Sequence, residues 1–324
     1  MVFSRIYEIY FSATLTTEKV VKCISEGFLD SCAGAYAEAG SREMKEERCQ
    51  AVKTDDTDIA GSGSESPKLI DKEIEILSYN FAYPENRKSF PELKPTDLVI
   101  FGMPTYAGRL PNLMLKYLDT IEGNGAMTIP VVTFGNRDFE DSLKELTEIL
   151  ESKGFRTFAA GAFSCEHSFS KILGAGRPDR QDEEEIRDFA EKAFIKLKNA
   201  CTGAGAQETC DSVDNFSPVR VSGKTDNGYY QPKDNKGGKI DIRKVKPITK
   251  ESCNNCGLCA EICPMGAVNP DDPSEITGIC IKCGACIKRC PVAAKDFVDE
   301  GYLYHKKDLE EKFGSVRAEN RIFI

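Results

Sequence analysis

Apolar residues along the first two thirds of the chain alternate between two periods. Short runs rich in β-branched and aromatic residues are typical of strands, and between them apolar residues return every three or four positions, as in helices. The predicted strands cover residues 6–11, 73–79, 97–103, 129–134 and 156–165, and the predicted helices 18–24, 113–121, 139–153 and 183–197. Five strands that alternate with helices predict an α/β fold with a doubly wound parallel sheet over residues 1–200.

Two segments lack this periodicity. Residues 39–66 are rich in charge, glycine and serine and predict a flexible insertion in the first domain. Residues 201–246 have a similar composition and predict a linker to a second, smaller domain. A linker of this length allows the second domain to dock on the first or to swing away from it.

A hydroxyl-rich loop joins the first predicted strand to the first helix, and its residues are Ser12, Ala13, Thr14, Leu15, Thr16 and Thr17. Unpaired amide N–H groups and the positive end of a helix dipole bind phosphate at such a position. The loop has no lysine of the P-loop kind, so it suits the single phosphate of FMN better than a nucleoside triphosphate. An ordinary Ser/Thr N-cap predicts the same residue types, and this segment alone does not separate the two.

Eight cysteines near the C-terminus form two identical C-x-x-C-x-x-C-x-x-x-C-P runs: Cys253, Cys256, Cys259 and Cys263, then Cys280, Cys283, Cys286 and Cys290. In such runs three cysteines bind one 4Fe-4S cluster, and the fourth binds the other cluster. The expected ligand sets are therefore Cys253, Cys256, Cys259 and Cys290 for one cluster, and Cys280, Cys283, Cys286 and Cys263 for the other. Zinc needs only four sulfurs, and disulfides need an oxidising compartment, so both fit the pattern less well.

Residues 247–300 resemble bacterial-type two-cluster ferredoxins, a small α+β domain, which leaves 301–324 as a C-terminal tail. The chain as a whole resembles the flavodoxin family, and more closely the clostridial and archaeal fusions in which a flavodoxin-like FMN-binding domain precedes a two-cluster ferredoxin. The resemblance implies that two loops contact the isoalloxazine ring of FMN while residues 12–17 bind its phosphate. One loop is Pro104, Thr105, Tyr106, Ala107, Gly108 and Arg109, and the other is Thr133, Phe134, Gly135, Asn136 and Arg137.

Some positions depart from the family pattern or admit two interpretations. The family usually has glycine where this chain has Ala13 and Leu15, and a side chain there can obstruct phosphate. The chain contains no Trp, so an aromatic ring stacked on the flavin has to be Tyr106 or Phe139. His167 follows the last strand and is a candidate donor of a hydrogen bond or a proton to the reduced ring, although a structural hydrogen bond is the commoner use of a histidine there. Arg109 and Arg137 fit a reduced anionic flavin, a contact with the ferredoxin module or a solvated surface.

Composition and charge narrow the function further. The formal net charge is −9, and two clusters with an FMN phosphate bring the total to roughly −15. Nucleic acid is excluded as a partner on these grounds, and a redox protein with a basic docking face is expected. The other six cysteines fit no metal site, which predicts free thiols and a cytoplasmic location. No segment reaches the length and apolarity of a membrane span.

These features predict electron transfer between two 4Fe-4S clusters and a bound FMN, which relays electrons between redox partners. An FMN-dependent reductase that acts on a small substrate is an alternative, and a redox sensor or docking protein is another. A G-x-G-x-x-G nicotinamide fingerprint does not follow any of the predicted strands.

Overall fold

The apolar runs of the N-terminal region form the centre of a seven-stranded sheet in the computed structural model of the chain, which describes residues 3–50, 74–202 and 217–324. The strands are β1 (Arg5–Tyr10), β2 (Glu75–Asn80), β3 (Asp97–Pro104), β4 (Met127–Phe134), β5 (Arg156–Thr157), β6 (Ala160–Ser164) and β9 (Arg321–Phe323). They lie in the order β2-β1-β3-β4-β6-β9, and the short β5 pairs with β4 beside β6. All pairs except β6 with β9 are parallel.

The parallel part has the strand order of the flavodoxin-like doubly wound sheet, so the predicted fold is confirmed. The last predicted strand, 156–165, is divided into β5 and β6, which leave residues 158–159 between them. Phe158 and Ala159 are fully buried there, so the interruption does not bring either residue to the surface.

Helices cover both faces of the sheet. They are α1 (Thr16–Gln50), α2 (Asn112–Leu118), α3 (Ser142–Ser152) and α4 (Arg180–Thr202). Helix α1 continues through residues 39–50, the first part of the segment predicted to be a flexible insertion, and residues 51–66 lie outside the described part of the chain. Helices α1 and α4 pack on one face, and α2 and α3 pack on the other.

Successive side chains of the buried strands point to opposite faces of the sheet and so contribute to the hydrophobic cores on both sides. In β3, Leu98 and Ile100 belong to the core beneath α1 and α4, whereas Val99 and Phe101 belong to the core on the opposite face. Such continuous apolar runs are typical of parallel strands that are covered on both sides. A Cβ atom on Gly102 would lie 2.5 Å from Val21 of α1, so glycine lets this helix approach the strand closely.

The C-terminal region begins with a segment that lies along the first domain, because Val219 N–H donates to Thr157 O at 3.0 Å and both Val219 and Val221 are buried. The cysteine-rich part then contains β7 (Ile248–Thr249), α5 (Leu258–Glu261), α6 (Ala285–Lys288) and β8 (Lys295–Asp296), and β7 pairs with β8. Helix α7 (Glu300–Phe313) follows, capped by the Asp299 carboxylate, which accepts from Tyr302 N–H at 2.8 Å.

A buried ion pair attaches the C-terminal segment to the first domain. Arg177 and Asp182 form a bidentate pair with 2.9 and 2.6 Å contacts, and their side chains are 4% and 1% exposed. The same guanidinium donates to Ala318 O at 2.7 Å. Arg317 also pairs with Asp182, at 3.1 Å. Strand β9 therefore joins the sheet edge with its approach fixed by charge-assisted hydrogen bonds.

We expect Arg177→Met to lower the free energy of unfolding by about 3–5 kcal/mol, because it leaves the buried Asp182 carboxylate without its main partner. Arg180→Met is the matched control, since Arg180 is 92% exposed in its pair with Glu184 and should cost less than about 0.5 kcal/mol. Guanidinium unfolding followed by circular dichroism in the absence of oxygen measures both. Equal losses in the two variants would contradict this role for the buried pair.

Candidate functional site

The eight motif cysteines line two small cavities in the C-terminal domain. We call Cys253, Cys256, Cys259 and Cys290 the outer set, and the cavity that they line the outer cavity. The inner set is Cys263, Cys280, Cys283 and Cys286, and these line the inner cavity. Cys286 also reaches the outer cavity. The fold thus brings the fourth cysteine of each run to the other run's three, which is the crossed grouping that two cubane clusters require.

The backbone around both cavities has the same conformation. Gly257 and Gly284 are left-handed, with φ of 75° and 78°, and each begins a short helix that carries the next cysteines. Ala267 N–H donates to Cys263 Sγ at 3.3 Å, and Ala294 N–H donates to Cys290 Sγ at 3.2 Å. Hydrogen bonds of this kind stabilise thiolates and tune bound clusters, so the donor set and its surroundings fit 4Fe-4S clusters.

The two cavities differ in depth. Cys256 of the outer set is exposed, whereas Cys283 of the inner set is buried. Burial raises the pKa of the Cys283 thiol to about 12, and neighbouring thiolates act in the same direction. Metal binding at the inner set therefore has to displace a proton from Cys283.

The inner loop is also the part of the module that contacts the first domain. A Cβ atom on Gly284 would lie 2.7 Å from Ser168 O, so only glycine permits this approach. Lys288 Nζ lies 2.5 Å from the Glu166 carboxylate and also donates to Ser170 O. Burial raises the pKa of Glu166, but Lys288 and a backbone N–H more than offset it, so the pKa falls below its ordinary value.

Beside this contact lies a cavity of about 500 Å³, within the range of about 300–1,000 Å³ that is common for ligand sites. Six residues of the two predicted isoalloxazine loops line it: Thr105, Tyr106, Ala107, Gly108, Gly135 and Arg137. The inner cluster loop lines the same cavity through Cys280, Ile281 and Lys282. We call it the interface cavity, since both domains contribute to it.

Tyr106 is the residue that links the loop to the cysteines. Burial raises its pKa well above the ordinary value, and charge on Cys283 and Cys280 adds to the effect. Its ring packs partly buried against the main core. Phe139, the other stacking candidate, does not line the interface cavity and instead packs on Phe134 at 5.6 Å between ring centroids.

The remaining predicted flavin residues lie outside the lining of the interface cavity. Arg109 makes a bidentate pair with Glu145 at 3.0 and 2.7 Å. Asn136 is buried, and its amide donates to Phe313 O at 3.0 Å and Val316 O at 2.7 Å. Arg137, which is one of the six residues that line the cavity, also pairs with Glu140. The other three, Pro104, Thr133 and Phe134, belong to β3 and β4.

Residues 12–17 form an open amide loop at the start of α1. Ser12 Oγ accepts from Glu18 N–H at 3.0 Å, and the amide N–H groups of residues 13–17 donate to no described residue. Leu15 has φ of 69°, the left-handed conformation that glycine would adopt, and its side chain is 43% exposed. Ala13 is buried. The larger of the two substitutions therefore points away from the fold, at a cost in backbone strain.

Sequence reasoning missed the other wall of the interface cavity. Tyr229, Tyr230 and Gln231 come from the predicted linker, and His305 comes from the predicted tail. Tyr230 N–H donates to Ala107 O at 2.8 Å, which fixes this segment on the first of the two predicted isoalloxazine loops. The Tyr-Tyr pair within a polar segment was the available signal, because aromatic residues are uncommon in linkers.

Both histidines of the chain line this cavity. His167 Nδ1 accepts from Phe169 N–H at 3.0 Å, which leaves the ring proton on Nε2. Burial lowers the pKa of His167 to about 3, and the positive charges of His305, Lys288 and Arg137 act in the same direction. His305 stacks on Tyr230 with 5.9 Å between ring centroids, and burial lowers its pKa too.

Comparison with known proteins agrees with the cysteine geometry. Residues 252–295 match the family of 4Fe-4S dicluster domains, and this supports an electron-transfer role. No curated protein matches the chain. No helix among the described residues is long and apolar enough to cross a membrane.

Solved structures similar to this chain include two flavodoxins and a rubredoxin oxygen:oxidoreductase. An archaeal flavodoxin is 12% identical, with 60% of this chain and 99% of that chain covered and a TM-score of 0.35. Flavodoxin 1 from Bacillus cereus is 18% identical, with 60% and 98% covered and a TM-score of 0.33. Rubredoxin oxygen:oxidoreductase from Desulfovibrio gigas is 15% identical, with 60% and 36% covered and a TM-score of 0.33. The fold assignment comes from the strand order.

We expect the His167 ring to remain neutral from pH 8 down to pH 5, whereas an ordinary histidine titrates near 6.5. Its folded pKa of about 3 lies below that of the unfolded chain, so the stability it contributes is complete above about pH 6.5 and is lost as the pH falls toward 3. NMR of the oxidised protein, labelled in its imidazole carbons, measures the titration, and His167→Gln assigns the signal. A His167 midpoint between pH 5 and 8 would contradict this burial.

Proposed function

We propose that the protein transfers electrons between an external redox protein and FMN at the domain interface, by way of two 4Fe-4S clusters. One observation carries the proposal: Cys280 of the inner set and Tyr106 of the isoalloxazine loop line one cavity. When bound, the clusters would exchange single electrons and FMN would store one or two. The positions of the cysteines and of the interface cavity set the sequence in which an electron would pass from one carrier to the next.

Depth supports an order that runs from the outer set through the inner set to the interface cavity. Cys256 is exposed, which gives an external protein access to the outer set. Cys286 borders both cysteine cavities, so the two sets share a wall. Cys280 borders both the inner set and the interface cavity. Each site thus shares a lining cysteine with the next.

For FMN we propose that residues 12–17 hold the phosphate and that the interface cavity holds the ring. The unpaired amides at the start of α1 and the outward-pointing Leu15 support the first part. For the second part, Tyr106 provides an aromatic wall, and His167 provides an Nε2–H donor that stays neutral. The 500 Å³ cavity between them receives the ring edge.

Charge around the outer set supports a basic partner. Four exposed acidic residues, Glu251, Glu261, Asp271 and Asp272, lie in the segment that carries the outer cysteines or directly follows it, and none makes a salt bridge to the described residues. The chain as a whole carries a formal charge of −9. Steering by such a surface speeds association and weakens with salt.

A reductase that acts on a small substrate is the second candidate function. The observation that favours it is that both histidines line the interface cavity, where a neutral imidazole is able to donate a hydrogen bond to a bound substrate. Steady turnover of a small acceptor without a protein acceptor would support this candidate.

Anaerobically purified protein is expected to contain about one FMN and about eight irons per chain. Flavin fluorescence after denaturation and colorimetric iron on one sample measure both. Eight irons with no flavin, even after incubation with FMN, would overturn the flavin part of the proposal and leave the cluster part standing.

Cys283→Ala is expected to remove about four irons and to slow electron delivery to FMN by at least about tenfold, while FMN remains bound. The reason is that Cys283 belongs to the set between the outer surface and the cavity. Cys23→Ala, a buried cysteine outside both motifs, is the control and should retain all irons. Iron content, flavin content and flavin reduction by a prereduced donor are measured together. Unchanged flavin reduction would contradict the proposed order.

A further inference from the structure

Lys295 is a buried cation without an acidic partner. It lies in β8 with 3% of its surface exposed. Its ammonium donates to Thr249 Oγ1 at 2.6 Å and to Pro273 O, both of them neutral acceptors. Among the described residues no carboxylate lies within ion-pair distance of it. Burial of an ammonium without a counter-charge costs several kcal/mol, so the fold has to supply a negative group elsewhere.

Among the residues that line the outer cavity with Lys295, only the cysteines can carry a negative charge. Lys295 lines the outer cavity together with Cys259 and Cys290. Cys286, which borders both cysteine cavities, lines the outer one with this lysine. Lys295 therefore borders the outer set and shares a cavity with the cysteine that joins the two sets.

The internal repeat shows that this charge belongs to one cluster site and not to the other. Lys295 is the fifth residue after Cys290, and the fifth residue after Cys263 is Val268. Val268 is also buried and lines the inner cavity. The hydrogen bonds to Cys263 and Cys290 have nearly equal lengths in the two halves. At this position the halves therefore differ by one buried positive charge.

A second difference between the halves lies nearer to solvent. Lys282 stands where the first run has Asn255, but it is only partly buried and donates to the Arg243 and Cys280 carbonyls, on the side of the interface cavity. Solvent screens a charge in that position more strongly than one that is 3% exposed.

We propose that Lys295 is the internal counter-ion of the outer 4Fe-4S cluster and raises its reduction potential above the value that a neutral side chain would give; this inference rests on the proposed function. Reduction adds one electron from an external one-electron donor and breaks no bond, and it changes the charge of a cluster with four thiolates from about −2 to about −3. A fixed ammonium stabilises the more negative form. Because it is buried, salt screens it little.

The test compares three variants after iron has been measured in each. Lys295→Gln removes the charge and keeps an N–H donor for Thr249 and Pro273, whereas Lys295→Arg keeps the charge. Lys250→Met removes a positive charge from a side chain that is 45% exposed. Lys250 directly follows β7 and pairs with Asp296 of β8. Potentiometric titration with dithionite, followed by electron paramagnetic resonance of the reduced clusters, gives the potential of each cluster.

For Lys295→Gln we expect the reduction equilibrium constant of one cluster to fall at least about tenfold, about 59 mV for one electron, and that of the other cluster to fall less. Lys295→Arg and Lys250→Met should stay within about threefold of the wild type. Loss of four irons from Lys295→Gln but not from Lys295→Arg would equally support a charge requirement.

Two outcomes would overturn the inference alone. In the first, Lys295→Gln keeps all its irons and has the same potentials as Lys250→Met. In the second, Lys295→Gln and Lys295→Arg lose the same irons, so the shape of the lysine and not its charge matters. A wild-type protein that binds no iron when purified or reconstituted would instead overturn the proposed function, and the iron measurement identifies that case first.

Discussion

The structure depends on one close contact, in which the inner cysteine loop lies directly against the loop that follows β6. Gly284 is left-handed and approaches Ser168 O so closely that a Cβ atom would clash at 2.7 Å. One residue thus serves two constraints, because the cluster loop needs the left-handed turn and the domain contact needs the missing side chain. Without this contact the interface cavity would lose the wall formed by Cys280, Ile281 and Lys282.

The rest of the C-terminal half holds this contact in place. The chain crosses from the first domain to the cluster module and then returns, since β9 pairs antiparallel with β6 at the sheet edge. Asn136 illustrates the consequence. It belongs to a loop predicted to contact flavin, yet its amide group binds Phe313 O, Val316 O and Ala318 N–H. A loop of the first domain thereby positions α7, which carries His305 into the interface cavity. The C-terminal segment is therefore part of the first domain's sheet and loops as well as a covalent connection to the cluster module.

The sequence predicted the local features well and the returning segments poorly, for a physical reason. Alternation in 97–103 reports burial on two faces, and the cysteine spacing reports a loop around a cluster, so both follow from neighbours along the chain. Strand β9 has only three residues, and Tyr229 and Tyr230 stand in a segment without periodicity. Their positions depend on partners more than 100 residues away along the chain. Leu110 O, for example, accepts a hydrogen bond from the Tyr229 hydroxyl. No local pattern encodes such a pairing.

Leu15 shows how a residue that departs from the pattern of the flavodoxins that the sequence resembles can still leave the amides of a loop open. Glycine is favoured in a phosphate loop because it adopts positive φ and has no side chain that blocks the amides. Leu15 reaches φ of 69° at a cost of about 1–2 kcal/mol, and at that angle its side chain leaves the loop and is 43% exposed. The amides of residues 13–17 consequently remain open to an anion. The backbone conformation therefore decides whether these amides stay open, and the residue type acts through the strain that it adds to that conformation.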